Sequence, residues 1–122
     1  MTTTAMKPTT YTIDATGRTL GRVASEAAQA LLGKKSVHFI KNEVLPMSVV
    51  VENVAKLSIP ERRLNEKEYV HFTGHVGGLR TTTLPELLAK KGVEYVFRQT
   101  VEGMIPRNKL RNARMKQLVI KG

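Results

Sequence analysis

Apolar residues recur along the chain at two spacings, which predict alternating strands and helices. Residues 11–15 predict a short strand, and Thr16-Gly17 follow it as a turn. The next apolar residues fall at i, i+3, i+4, i+7, i+8 and i+11, the spacing of one helix face. They are Leu20, Val23, Ala24, Ala27, Ala28 and Leu31. Thr19 is placed to be the N-cap of this helix and Gly33 to end it.

Further strands are predicted on either side of the middle of the chain. Residues 37–40 predict a second strand and residues 48–51 a third, in which Val49, Val50 and Val51 follow one another. Consecutive valines are typical of a strand buried on both faces of a parallel sheet. Residues 57–59 and 69–72 are expected to pair across the charged link 61–68.

The last third of the chain predicts helices and one terminal strand. Thr83-Leu84-Pro85-Glu86 is a capping-box pattern that opens a helix ending near Gly92, and a second helix continues to Ile105-Pro106. Residues 107–117 predict a last helix and residues 118–120 a strand. This alternation predicts an α/β fold, with a single domain at residues 11–122 after a poorly ordered tail, residues 1–10.

The charge of the chain points to a polyanionic partner. Its formal net charge is +10, whereas solubility needs a magnitude of only about 2–8 in a small domain. Nucleic acid is the first candidate and an anionic membrane surface the second. No apolar run reaches the ~20 residues of a membrane span, and the N-terminus has no signal-peptide core. The absence of cysteine excludes disulfides and thiolate metal sites.

Basic residues are concentrated near the C-terminus. Arg107, Arg111 and Arg114 are spaced i, i+4 and i+7, so one helix would place them on one face, flanked by Lys109 and Lys116. Like charges at this spacing destabilise an isolated helix by about 0.2–0.5 kcal/mol per pair. A phosphate backbone would offset that repulsion, so we predict RNA or DNA contact here. The alternative is a solvated basic face.

Two other segments are candidate phosphate contacts. Residues 17–22 lie between a strand and a helix N-terminus, where free N–H groups favour anions, so Arg18 and Arg22 are candidates. The segment lacks the spacing of a dinucleotide-binding loop, and an ordinary strand–helix turn is the alternative. Lys34 and Lys35, just past the same helix, are candidates too, or else a solvated pair.

A glycine-rich segment, residues 73–80, is a further candidate. Its glycines allow a close approach to a ligand, so we predict RNA contacts from His75, Gly77, Gly78 and Arg80. No Gly-Lys-Ser/Thr follows, which excludes a Walker loop. A plain connecting loop is the alternative.

Catalytic and metal chemistry find little support in the sequence. His71 and His75 are four residues apart but lack a third ligand at suitable spacing, so no metal site is predicted, and His38 is interpreted as structural. Asp14 precedes a glycine turn, where a carboxylate stabilises the turn more often than it catalyses. We predict neither catalytic residues nor a cofactor. Aromatic residues are scarce, so binding should depend on charge and shape more than on stacked bases.

Taken in order, the motifs resemble one family, the bacterial-type large-subunit ribosomal protein thirteen, over residues 11–122. The matching motifs are Asp14, Gly17, Leu20-Gly21-Arg22, Ala24-Ser25, Val49-Val50-Val51 with Asn53, Lys67 and Tyr69, Gly74, Gly77-Gly78-Leu79-Arg80, and Gly103-Met104-Ile105-Pro106 followed by Arg107, Asn108 and Leu110. Each motif alone is weak, but their order and spacing are specific.

The resemblance implies a three-layer α/β/α domain around a four-stranded, mostly parallel sheet. It also implies a structural protein of the large ribosomal subunit that binds large-subunit rRNA, contacts neighbouring ribosomal proteins and supports early assembly and translation in the cytoplasm. No small-molecule substrate and no membrane partner are expected. The alternatives are a protein that binds DNA or membrane surfaces, and an enzyme in which Asp14 and the glycine loop line one pocket.

Overall fold

The computed structural model describes residues 9–34 and 46–122. The helices and strands are β1 Thr9–Asp14, α1 Leu20–Leu32, β2 Met47–Glu52, a 3-10 turn Val54–Lys56, α2 Glu61–Glu66, β3 Glu68–Phe72, β4 Leu79–Thr83, α3 Leu84–Met104, α4 Arg111–Met115 and β5 Leu118–Ile120. The predicted strand at residues 37–40, His38, Lys35 and residues 1–8 lie outside the described residues. β1 begins at Thr9, inside the segment predicted to be a tail.

The described strands form a parallel sheet of three strands in the order β1-β2-β5. Tyr11 is in register with Val49, and Val49 with Leu118, so β2 is central. Parallel neighbours need a long crossover between them, and α1 lies in the crossover from β1 to β2. The predicted α/β class with a parallel sheet is therefore confirmed. The fourth strand and the three-layer arrangement remain predictions.

The central strand is not buried on both faces, so that prediction is wrong. Val49 and Val51 are fully buried, whereas Val50 between them is only half-buried. Its neighbour in register on β5, Val119, is 40% exposed. Side chains alternate across a strand, and one face of this sheet carries the core while the other is more open.

The core lies between the sheet and two helices. The apolar stripe of α1 is buried as predicted, and it packs on β1 and β2. Its alanines leave room for α3, which packs on α1 and contributes Val96, Phe97 and Val101 to the same hydrophobic cluster. Thr19 precedes α1 in an extended conformation and Gly33 ends it in the left-handed region, at φ 85°. The predicted start and end of the helix are thus confirmed, although Thr19 makes no side-chain cap hydrogen bond.

The second sheet corrects the predicted strand pairing. β3 pairs antiparallel with β4, with Phe72 opposite Leu79, rather than with residues 57–59. The charged link between those segments begins with α2, whose Arg62 and Glu66 pair at 3.2 Å one turn apart. Leu57 and Ile59 instead pack on the edge of the core. Local composition could not reveal this choice of partner.

α3 confirms the predicted break at Gly92. Gly92 has φ 85° and ψ 169°, which are not helical, and helix continues on either side of it. Glycine adopts a positive φ of this kind more readily than other residues do, which explains why the helix is interrupted at this position. The capping-box prediction was wrong in its details, since Thr83 precedes the helix but makes no side-chain cap hydrogen bond.

Candidate nucleic-acid interface

The segment that carries the most predicted contacts, residues 107–116, begins as a loop and continues as the short helix α4. Pro106 follows the buried Ile105, and the chain then turns about Asn108, whose side-chain Oδ1 accepts the backbone N–H of Leu110 at 3.1 Å. Such a turn competes with helix. The last helix therefore begins at Arg111, and the predicted helix over residues 107–117 was too long.

The three arginines of this segment do not share one exposed face. Arg107 lies in the loop and is exposed, whereas Arg114 is buried, with 2% of its surface accessible. Arg111 is partly covered and lies 3.5 Å from Glu102 of α3, so it has an acidic partner within the chain. The prediction of a continuous basic stripe is wrong, because α4 packs on the molecule with its Arg114 side inward.

Exposed cations remain on this segment. Arg107, Lys109 and Lys116 are all exposed. Arg98 of α3 reaches the carbonyl oxygen of Met115 at 3.5 Å, so it ties α4 to α3. Arg98 therefore has a structural role here, while the three exposed residues hold their charges towards solvent.

The turn after β1 is built around Asp14. Its Oδ1 accepts the backbone N–H and the hydroxyl of Thr16, at 3.0 and 2.8 Å, and the side-chain amide of Asn53 at 3.1 Å. The backbone hydrogen bond from Thr16, then the one from Asn53, lower the pKa of Asp14 from its ordinary value of 3.8 to about 2. The turn-stabilising interpretation of Asp14 is confirmed, and Asn53 ties this turn to the end of β2.

We expect Asp14→Asn to weaken this turn in a pH-dependent way. A lowered pKa means that the carboxylate stabilises the fold above about pH 4, and that this contribution is lost as the pH falls through about 2. Urea unfolding near neutral pH should show the variant less stable than the wild type. The difference should shrink as the pH approaches 2. An equal difference at both pH values would contradict the assignment.

The predicted anion site at residues 17–22 contains one neutralised and one available arginine. Arg18 forms an ion pair with Glu26 of α1 at 2.7 Å, so part of its charge is matched within the chain. Arg22 is exposed in the first turns of α1. Arg22 is therefore the stronger candidate for an external anion.

Arg22 lies in a cleft of about 520 Å³ between the start of α1 and α2, which we term the α1 cleft. Its lining is Thr19, Leu20, Gly21, Arg22, Ser58, Pro60, Arg62, Arg63 and Glu66. Among the described residues, Arg63 Nε is buried and has no hydrogen-bond partner. Sequence reasoning did not identify Arg62 and Arg63, which lie in the charged link 61–68. The basic pair at 62–63 was the available signal.

The glycine-rich segment forms the tip of the β3–β4 hairpin. Gly77 has φ 78°, and the Gly78 N–H donates to the carbonyl oxygen of His75 at 2.9 Å. His75 and Arg80 are exposed. The glycines thus have a structural role in the turn, and RNA contact by this loop stays a prediction.

Gly78→Ala should destabilise this hairpin. A Cβ at Gly78 would collide with Thr73 Oγ1 and come within 2.9 Å of the His75 carbonyl oxygen, which is backbone. We expect a loss of about 1–3 kcal/mol, as for other overpacked positions, and faster amide hydrogen exchange at Thr73 and Gly78. Gly103→Ala is the matched control, because its Cβ meets nothing within 4 Å. Because alanine favours helix more than glycine does, this change should raise the free energy of unfolding by at most about 1 kcal/mol. Unchanged exchange in the Gly78 variant would contradict this prediction.

The remaining predicted residues fall outside these clusters. Lys34 is exposed just after Gly33, and Lys35 is outside the described residues. Within residues 9–34 and 46–122, no group of three histidine or acidic side chains is placed to hold a metal ion. Asp14 and the glycine loop do not line the α1 cleft. In the same part of the chain, no helix has the length and apolar character to cross a membrane.

The fold and its exposed charges define a class: a strongly basic α/β protein built on a parallel sheet. Comparison with known proteins identifies the family. The profile of the family described as Ribosomal protein L13 matches residues 8–120. A curated relative from Chlamydia caviae, Large ribosomal subunit protein uL13, is 35% identical over 113 residues, 92% of this chain and 75% of the relative. The chain belongs to the ribosomal protein L13 family, so the predicted resemblance is confirmed.

Proposed function

We propose that the protein is a structural constituent of the large ribosomal subunit that binds large-subunit rRNA and supports early subunit assembly and translation. In this proposal it works in the cytoplasm, within the ribosome, beside neighbouring large-subunit proteins. It is not an enzyme, and it needs no cofactor, metal or small-molecule substrate. Membership of a ribosomal protein family supports the large-subunit role.

The observation that carries rRNA binding is a set of exposed cations without matching acids. In the described part of the chain, no ion pair involves Arg22, Arg80, Arg107, Lys109 or Lys116. Arg18 and Arg111 differ, because each has an acidic partner within the chain. A fold with a net charge of +10 repels itself, and a phosphate backbone relieves that repulsion.

The α1 cleft is one place that can hold a phosphate within this proposal. Arg22, Arg62 and Arg63 converge on it from two helices. Among the described residues, Arg62 alone of the three forms an ion pair, with Glu66, which lines the same cleft. The first turn of α1 has no acidic residue and no side-chain cap, so its N–H groups also favour an anion. We therefore add Arg62 and Arg63 to the residues proposed to contact RNA.

Arg114 leaves the set of proposed contacts. A guanidinium with 2% exposure cannot reach a phosphate without unpacking α4. The hairpin loop stays in the set through His75, Gly77, Gly78 and Arg80, because it is exposed at the end of an extended hairpin. Phosphate contacts from all these segments would position the protein, and shape rather than base edges would be recognised.

Binding at matched salt tests the proposal against its rival. We expect the purified chain to bind large-subunit rRNA more tightly than duplex DNA or anionic vesicles of equal charge concentration, with affinity falling as salt rises. The chain should also co-sediment with large subunits at physiological salt. Equal binding to all three polyanions would favour a general polyanion binder, and a chain free of subunits would overturn the ribosomal role.

A further inference from the structure

One face of the β3–β4 hairpin is apolar and open to solvent. Val70, Phe72 and Leu79 are 64%, 61% and 60% exposed, and they are among the few large apolar side chains so exposed in the described residues. Phe72 is directly opposite Leu79, and Val70 is two residues before Phe72 on the same strand. Cross-strand partners and alternate residues share a face, so these three form one patch, which we term the outer hairpin face.

The other face of the hairpin already has a partner. Tyr69, His71 and Thr82 border a cleft against α3, together with Leu87, Tyr95 and Gln99 of that helix, and Val70 also borders it. Tyr69 is partly buried and packs against the core. Among the described residues, Val70, Phe72 and Leu79 belong neither to the core nor to the apolar residues packed on it. The hairpin therefore rests on α3 through one face and presents the outer hairpin face outwards.

Exposure of this kind needs a physical explanation. A two-stranded antiparallel sheet is only marginally stable by itself. Exposure of the apolar side chains of the outer hairpin face to water is unfavourable and lowers that stability further. Contiguous exposed apolar side chains mark interaction surfaces far more often than isolated ones do. Aromatic and aliphatic side chains of this kind are typical of the centre of a protein–protein interface.

The charges around the patch decide between RNA and protein as its occupant. No basic side chain shares the outer hairpin face, since His71 and Arg80 are opposite each other on the α3 side. Glu68 lies on the same face as Val70 and Phe72, is exposed, and forms none of the ion pairs found among the described residues. An RNA backbone would meet a carboxylate and no cation there, so phosphate is repelled. Protein is the matching partner.

We propose that the outer hairpin face docks an apolar segment of a neighbouring large-subunit protein, with a basic residue of that partner opposite Glu68. A second copy of this chain is disfavoured, because both copies carry a net charge of +10. The inference rests on the proposed ribosomal function and assigns a surface to its protein partner. RNA contacts then belong to the basic surfaces and to the hairpin loop with Arg80, whereas the outer hairpin face belongs to the protein neighbour.

Photocrosslinking in intact large subunits tests the assignment. The full chain carries benzoylphenylalanine in place of Phe72 or Leu79, and His71, on the opposite face, is the matched control position. Irradiation at 72 and 79 should give a protease-sensitive, ribonuclease-resistant product with one other large-subunit protein, identified by peptide mass spectrometry. Position 71, which lies opposite Arg80 on the other face, should give no product with that protein. An RNA adduct, a homodimer or no product at 72 and 79 would overturn the inference.

A second measurement separates this inference from the proposed function. The double variant Phe72→Thr, Leu79→Thr keeps residues that favour strands, and His71→Thr is its control. Affinity of the free variant for rRNA should match the wild type within about twofold, since binding there depends on charge. Its retention in salt-washed large subunits should fall by roughly fivefold or more, as when an interface anchor is truncated. If the double variant is retained as well as the wild type, the proposed docking surface is wrong and the ribosomal function is unaffected. If the wild-type chain itself is absent from large subunits, the proposed ribosomal function is wrong.

Discussion

Replacing Phe97 with alanine is expected to lower the free energy of unfolding by about 3–5 kcal/mol. Phe97 is the largest fully buried side chain in the described residues and lies in the core cluster between α3 and α1. Its removal would leave a cavity that the alanine-rich stripe of α1 cannot fill, because alanine side chains are too short to move into it. Since domains of this kind are stable by only about 5–15 kcal/mol, the loss is a large fraction of the total.

Urea unfolding measures this effect, with Gln99→Ala as the control. Gln99 is exposed two residues further along α3, and its replacement should change stability by no more than about 0.5 kcal/mol. The two substitutions thus share a helix and differ in burial. A Phe97→Ala loss below about 1 kcal/mol would show that α3 does not pack on α1 as described.

The second large effect concerns the exposed cations of the C-terminal segment. The triple variant Arg107→Gln, Lys109→Gln, Lys116→Gln should bind rRNA roughly a hundredfold more weakly, since a unit charge pair at about 4 Å in water contributes ~1 kcal/mol. The slope of log affinity against log salt should flatten by about one unit for each lost phosphate contact. Filter binding or fluorescence anisotropy across several salt concentrations measures both quantities.

A charge-matched variant controls for net charge. Lys67→Gln, Lys90→Gln, Lys91→Gln removes the same charge from exposed positions outside the proposed contacts. It should weaken binding less and leave the salt slope nearly unchanged. Equal effects from the two triple variants would mean that net charge, and not residues 107–116, determines binding. Arg111→Gln should have a smaller effect than any exposed residue of the segment, because Glu102 already offsets that charge.

The elements predicted correctly are those whose signal is local. The stripe of α1 repeats over several turns and is closed by Gly33, and the valines of β2 are apolar whichever face they occupy. The break at Gly92 was predictable for the same reason, since glycine alone interrupts an otherwise helical spacing. These features depend on residues only a few positions apart, so they can be recognised directly in the sequence.

The errors involve choices between distant segments. Residues 69–72 were matched with the wrong strand, because β propensity does not identify a partner, and β4 is reached through a hairpin whose glycines suggested a ligand loop. The length of α4 depended on Asn108 competing for the backbone N–H of Leu110. Arg62 and Arg63 became candidates only when α2 was seen beside the start of α1.

The α/β class, the parallel sheet, the basic character and the family were predictable from periodicity, net charge and ordered motifs, because these are properties of the chain read in one dimension. Which charges face solvent was not predictable in this way. Arg107, Arg111 and Arg114 look equivalent by spacing, yet one is exposed, one is paired with Glu102 and one is buried. The physical reason is that exposure depends on how α4 packs on α3 and α1, through contacts between residues far apart in the chain. The packing of the hairpin beside α3 likewise left Phe72 exposed.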